Sequence, residues 1–214
     1  MYVPALFAEN RPEVLHALMR AHPFATLVVM SAQGLEANHI PLEFEAQGSG
    51  LGVLRGHVSR ANPMWQSYQP EVEALAIFSG PHTYISPSSY PTRAGSGMVV
   101  PTWNYAVVHA RGPLKLVEDP VKLRAHVERL TAAQEHGRSN PWQPGEAPAD
   151  FLNAQLGRIV GVEIALTSLI GKWKVSQNRT PGERAGVIRA LHEEGSREAS
   201  DMAALVERAS PPKP

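Results

Sequence analysis

Nineteen prolines and seventeen glycines divide this 214-residue chain into short runs, and the order of those runs limits the fold more than any single motif does. Asn10 is positioned to cap a first helix, with Pro12 in its first turn and Val14, Leu15, Leu18 and Met19 at helical spacing until Pro23 stops it. Residues 24–30 then form a β-rich apolar run, 31–34 read as a turn, and 35–44 alternate as the return strand of a hairpin. Gly48–Ser49–Gly50 is the next turn, 51–58 a strand, Asn62-Pro63 the start of a short helix, and 72–78 a fourth strand. Residues 80–101 are rich in Pro, Gly and Ser, and a loop of that length inside a compact domain suggests a functional lid or rim. A fifth strand over 107–117 is interrupted by Gly112-Pro113, which fits a bulge or an edge, and a sixth covers 159–169. Helices are predicted over 120–135, with Leu123, Val127 and Leu130 on one face, and over 149–156. Two more follow, over 181–194 behind a Thr180–Glu183 capping box and from 197 to about 209. Strands come first, with no βαβ alternation and no repeat, so the order favours an antiparallel barrel with helical decoration over a doubly wound sheet.

Composition narrows the class further. Twenty basic and twenty acidic side chains cancel, so no global field draws the chain to nucleic acid or to an anionic membrane surface. A hydrophobic fraction of 43% and a mean hydropathy of -0.21 describe a globular chain, and no run approaches the apolar length of a membrane span. Met1-Tyr2-Val3-Pro4 lacks a basic leader, which points to the cytoplasm. The absence of cysteine removes thiol catalysis, thiolate metal sites and disulfides together.

No dinucleotide, P-loop, serine-hydrolase or zincin signature is present. Of the nine histidines, His22, His39, His57, His82 and His109 fall near strand ends, but without close ligand spacing. Isolated hydrogen-bonded histidines are therefore favoured over a metal centre. Three stretches have more to say. Leu54 to Pro63 gathers His57, Ser59, Arg60 and Asn62 at a strand end before a helix start, a set that suits a phosphomonoester; capping by Ser59 and Asn62 beside a surface Arg60 is the other reading. Gly171 to Arg179 holds three cations and no anion, with Lys172, Lys174 and Ser176 on one strand face and Trp173 and Val175 on the other. That face suits an anionic ligand, and it equally suits a guarded edge strand. Pro101-Thr102-Trp103-Asn104-Tyr105 could stack an aromatic ligand, although core packing is the commoner role of such a cluster.

Together these segments resemble the PaiB-like FMN-binding negative transcriptional regulators, related to the split barrel of the pyridoxamine phosphate oxidase type. The resemblance rests on Met1-Tyr2-Val3-Pro4, His22-Pro23-Phe24-Ala25-Thr26-Leu27, Ala37-Asn38-His39-Ile40-Pro41-Leu42, the 54–63 segment, Tyr84-Ile85-Ser86-Pro87-Ser88, Val100-Pro101-Thr102-Trp103-Asn104-Tyr105 and the 171–178 segment. It implies an α+β fold, an antiparallel six-stranded split β-barrel of the FMN-binding type with flanking helices. It also implies a homodimer with flavin mononucleotide near the interface. Carried over residue by residue, Ser59, Arg60 and Asn62 would hold the phosphate with His57 in the same segment, and Asn38 and His39 would line the flavin. Trp103 and Asn104 would approach the ring from the same or the partner chain, and Lys172, Lys174, Gln177 and Asn178 would complete a basic wall. Where the family carries a Trp and a Lys in the long loop, this chain has Ser89 and Arg93. Residues 1–180 are thus expected to form the barrel domain and 181–214 a C-terminal helical extension and tail, with the resemblance ending near Gly195.

Two functions from different classes follow, a flavin-binding regulator and a flavin-dependent oxidoreductase or haem-degrading enzyme. No residue recommends itself as a catalytic acid or base, since a bound flavin would supply the chemistry. Direct DNA contact is disfavoured: from Pro181 to Ser210 there are six acidic residues against four arginines, and carboxylates facing a phosphate backbone are repelled.

Overall fold

The computed structural model describes residues 1–48, 50–95 and 97–209; Ser49 of the expected 48–50 turn, and residues 210–214 of the expected tail, lie outside the described residues. In chain order the elements are β1 (Ala8–Glu9), α1 (Pro12–Ala21), β2 (Phe24–Ser31), β3 (Gly34–Pro41), β4 (Glu43–Glu45), β5 (Val53–Ser59), α2 (Met64–Ser67) and β6 (Ala74–Ile85). They continue with β7 (Thr102–Gly112), β8 (Leu114–Val117), α3 (Pro120–Glu135), α4 (Ala149–Leu156), β9 (Ile159–Ala165), β10 (Ser168–Lys174), α5 (Pro181–Glu194) and α6 (Arg197–Arg208). The strands form a six-stranded sheet in the order β1-β10-β7-β6-β2-β3 and a four-stranded sheet in the order β4-β5-β9-β8. Two compact units emerge, one from residues 1–22, 78–109 and 170 onward, the other from 23–77 and 110–169; β6, β7 and β10 each run from one into the other.

In the first unit α1 buries Leu15, Leu18 and Met19. Its expected Asn10 cap is not used. Pro12, whose fixed φ suits a first helical position, sets the boundary one residue later, and the Glu9 carboxylate accepts the Arg11 backbone N–H at 3.0 Å. At the other end of this unit Thr180 and Glu183 close the expected capping box. Gly195, at φ +71, ends α5 in the left-handed conformation. Met202, Ala203 and Val206 of α6 are fully buried, and Arg184 of α5 donates to the Val206 and Ala209 carbonyls at the C-terminal end of α6.

In the second unit β2 and β3 form the expected hairpin, in register from Phe24↔Pro41 to Ser31↔Gly34. The expected return strand is divided: β3 ends at Pro41, and β4 pairs with β5 in the other sheet. The expected fifth strand is likewise divided between β7 and β8 at Pro113, which has no N–H to give a ladder. Its Gly112 is required, because a Cβ there would lie 2.0 Å from the Ala165 carbonyl oxygen. Asp119 caps α3, accepting from the Val121 and Lys122 N–H groups. The buried face of α3 is not the expected Leu123, Val127 and Leu130 stripe but Leu123 with His126.

Candidate functional site

The second unit gathers part of the proposed phosphate set. The chain turns at the end of β5, with the Asn62 N–H donating to Ser59 O at 2.9 Å and the Ala61 N–H to Ser59 Oγ at 3.2 Å. Asn62 Oδ1 accepts from the Met64 N–H at 2.9 Å, and its Nδ2 donates to Asn38 Oδ1 on β3 at 2.6 Å. These are local side-chain turns rather than the expected helix cap, since the residue before α2 is Pro63 and no side chain caps it, and they hold Asn38, Ser59 and Asn62 at one corner. Arg60 is exposed yet tethered: Nε donates to Gly157 O at 3.1 Å, Nη2 to Ile159 O at 3.3 Å, and Nη1 to Glu118 Oε1 at 3.1 Å. Its guanidinium also lies 5.5 Å from the centre of the Trp65 ring, whose Nε1 donates to the Arg60 carbonyl at 3.0 Å. A guanidinium has five N–H groups, so a pinned Arg60 keeps donors for an anion.

Two neighbours leave this corner. His39 follows Asn38 on the strand and so faces the opposite side, where its Nδ1 sits 3.1 Å from Thr26 Oγ1. His57 turns to α3, with Nδ1 3.1 Å from His126 Nε2. Burial lowers the His57 pKa.

The first unit gathers the aromatic and basic set. Trp103 is 54% exposed, and its ring centre lies 6.1 Å from that of His82 and 6.2 Å from that of Tyr84. His82 and Tyr84 are two residues apart on β6 and share its exposed side. They fall in the stretch read from sequence as a loop. The expected strand end at 78 is overtaken because β6 runs on through Gly80 and Pro81 to Ile85, sheet pairing overriding two local breakers. The spacing of His82 and Tyr84 was the available signal.

Lys174 Nζ donates to Thr102 Oγ1 and, at 2.6 Å, to the Trp103 carbonyl. Lys172 Nζ donates to Tyr2 O at 3.1 Å and lies 5.3 Å from the centre of the Tyr105 ring. Neither lysine has a carboxylate partner among the described residues. Burial, with Lys172 and Arg179 nearby, lowers the Lys174 pKa. A half-buried ammonium crowded by like charge and lacking a counter-ion fits a ligand anion, so the donor set suits FMN.

Two further residues of this set, Asn104 and Gln177, are buried in hydrogen bonds. Asn104 is 1% exposed and donates to Ser176 Oγ at 2.9 Å. Ser176 is buried rather than sharing the lysine face, because β10 ends at Lys174 and Ser176 adopts φ +62. Gln177 closes that turn, accepting from the Val175 N–H at 2.7 Å and donating to Trp173 O at 2.6 Å. Asn178 is exposed beside it.

Comparison with known proteins agrees with this donor chemistry. The flavocytochrome Anf3 of Azotobacter vinelandii superposes with a TM-score of 0.56 at 12% identity, over 78% of this chain and 69% of that one. An FAD and haem binding protein of Mycobacterium smegmatis gives a TM-score of 0.52 at 14% identity, over 78% and 73%. The fold is the α+β split barrel of flavin-binding proteins, with its antiparallel six-stranded sheet. The model of the family described as "Putative FMN-binding domain" matches residues 1–168, so the chain belongs to that family, and its cofactor is FMN. Protease synthase and sporulation protein PAI 2 of Bacillus subtilis is 31% identical over 207 residues, covering 97% of each chain. The Emericella nidulans protein AN0679 is 32% identical over 231 residues, covering 92% of each. A match across 97% of the chain runs past Gly195, which corrects the expectation that resemblance stops there. Among the described residues no helix is long and apolar enough to cross a membrane, and no group of three or more His, Asp or Glu side chains could hold a metal ion.

Proposed function

We propose that this flavoprotein acts as a homodimer in the cytoplasm with a regulatory role, as the PaiB-like resemblance implies. The phosphate is assigned to the corner formed by Asn38, Ser59, Arg60 and Asn62. The isoalloxazine ring is assigned to the surface formed by Trp103, His82 and Tyr84, with Lys172 and Lys174 beside it. As the resemblance implies, the flavin lies near the dimer interface, with Trp103 reaching its ring from the same or the partner chain. His39, His57, Asn104 and Gln177 act at one remove, by shaping the strands and turns that carry these groups, and the exposed Asn178 completes the basic wall.

One observation carries the reading: two lysines with no carboxylate partner among the described residues lie on β10, Lys174 bonded to the carbonyl of the exposed Trp103 and Lys172 over the Tyr105 ring. When bound, FMN supplies one- and two-electron redox chemistry, and this chain's own residues hold and orient it. Sensing of redox state or of flavin supply, relayed through a protein partner, fits the acidic α5–α6 pair better than direct DNA contact does.

The test is FMN affinity in single variants. Lys172→Ala and Lys174→Ala each remove a charge-assisted contact and are expected to weaken FMN binding by about 10-fold or more, read by quenching of flavin fluorescence. Unchanged affinity in both would remove the assignment. Rapid anaerobic reduction of the bound flavin by NADH or NADPH would favour an oxidoreductase over a regulator.

A further inference from the structure

The rim expected over residues 80–101 is pinned once β6 ends at Ile85. It makes two short 3-10 turns, Pro87–Ser89 and Pro91–Arg93, which lie against α5 within the first unit. Thr92 Oγ1 donates to Glu183 Oε1 at 2.9 Å, and Glu183 Oε2 accepts from the Thr180 N–H and hydroxyl at 3.1 Å each. The Ser89 carbonyl oxygen presses so closely on Gly186 that a Cβ there would lie 2.2 Å from it. Between these two contacts the Tyr90 ring is buried, with the Arg179 guanidinium 4.5 Å from its centre.

Two of these residues do more than α5 itself requires. The capping box uses one Glu183 oxygen, and the other reaches a hydroxyl 91 positions away in sequence. Glycine is a poorer residue than alanine inside a helix, so Gly186 weakens α5 at the point where the approach of Ser89 needs it. Helix α5 also begins beyond residues 1–168, the stretch that the family model matches.

The pinned segment leads into the aromatic and basic set from both sides. Tyr84, whose ring faces that of Trp103, stands next to last in β6, just before the turns. Lys174 ends β10 and leads through the Ser176 turn and Arg179 into the Thr180 cap. Ladder bonds stop at these strand ends, and strand ends open locally unless something holds them. Holding residues 87–93 on α5 ties the end that carries Tyr84 to the end that carries Lys174. We propose that Glu183 and Gly186 are positioning residues of the flavin site, which keep the 87–93 segment docked on α5, set Tyr84 against Trp103 and thereby raise FMN affinity. The proposal rests on the assignment of the isoalloxazine ring to that aromatic surface. Affinity then falls in proportion to the docked fraction that is lost.

The experiment measures FMN affinity by fluorescence titration, and docking by hydrogen exchange at the Ser89, Tyr90 and Arg93 amides, each bonded within the segment. Gly186→Ala favours the helix while its Cβ excludes the Ser89 carbonyl. The three amides are expected to lose protection, α5 to keep its own, and FMN binding to weaken about 10-fold. Thr92→Val keeps the shape and loses the donor to Glu183, for an expected loss of about 3-fold; Thr92→Ser is expected to restore affinity. Should Gly186→Ala loosen α5 itself, the two Thr92 variants decide. Lost protection with unchanged FMN affinity overturns the proposal, as does retained protection in Gly186→Ala or a Thr92→Ser variant no better than Thr92→Val. If Lys172→Ala and Lys174→Ala weaken binding while Gly186→Ala does not, the positioning role alone fails. If neither lysine variant weakens it, the flavin assignment fails with it.

Discussion

Burial pushes the His126 imidazole from its ordinary value down to about 4, with His57, Arg129 and Arg55 adding to the effect. The unfolded chain takes up this proton near pH 6.5, whereas the folded chain refuses it until about pH 4. Between those values the unfolded state binds more protons, so stability is fully present above pH 6.5 and is lost as pH falls through the window. The loss amounts to about 3 kcal/mol at most and levels off once both states are protonated. Urea midpoints measured from pH 7 to pH 4 are expected to show this decline, and the His126→Gln variant to show a flatter one. A wild-type slope no steeper than the variant's would contradict the assignment. The same residue marks a boundary of what sequence discloses. His57 stands out beside Ser59 and Arg60, but its partner lies 69 positions away on a helix whose spacing suggested a different buried face. Asn104 differs from Trp103 in the same way: adjacent in a suggestive motif, one is buried in a hydrogen bond and the other exposed.

Elements were legible where the determinant is local. The β2–β3 hairpin, the Thr180–Glu183 capping box and the 181–194 helix all appear as expected because each depends on a few neighbouring residues. Where pairing with distant strands decides, the reading fell short: β6 continues through Gly80-Pro81, β7 begins at Thr102, and the return strand of the hairpin divides at Pro41. The β7–β8 break offers a test. In Gly112→Ala the new Cβ would sit 2.0 Å from a backbone oxygen of Ala165, and backbone cannot swing aside as a side-chain tip can. The expected cost is in the upper part of the ~1–3 kcal/mol typical of overpacking, seen as a lower urea midpoint with an unchanged slope. A midpoint equal to wild type would show that β8 and β9 can separate without penalty.

For the molecule as a whole, the balanced charge conceals a division of labour. The lysines of β10 have no carboxylate partner among the described residues, while the C-terminal segment from Pro181 to Ser210 carries six acidic residues against four arginines. Such a distribution favours a phosphate-bearing ligand at a local site over a nucleic-acid backbone. The fold class was legible because the order of strands and helices excludes a doubly wound sheet, and the family because several modest motifs occur in one order. The most direct measurement of the central claim is titration of apo-protein with FMN, followed by flavin fluorescence and absorbance. The account predicts saturable binding at about one FMN per chain, as each chain carries one proposed phosphate corner and one proposed aromatic platform. Fluorescence that rises linearly with added FMN and never saturates would contradict it.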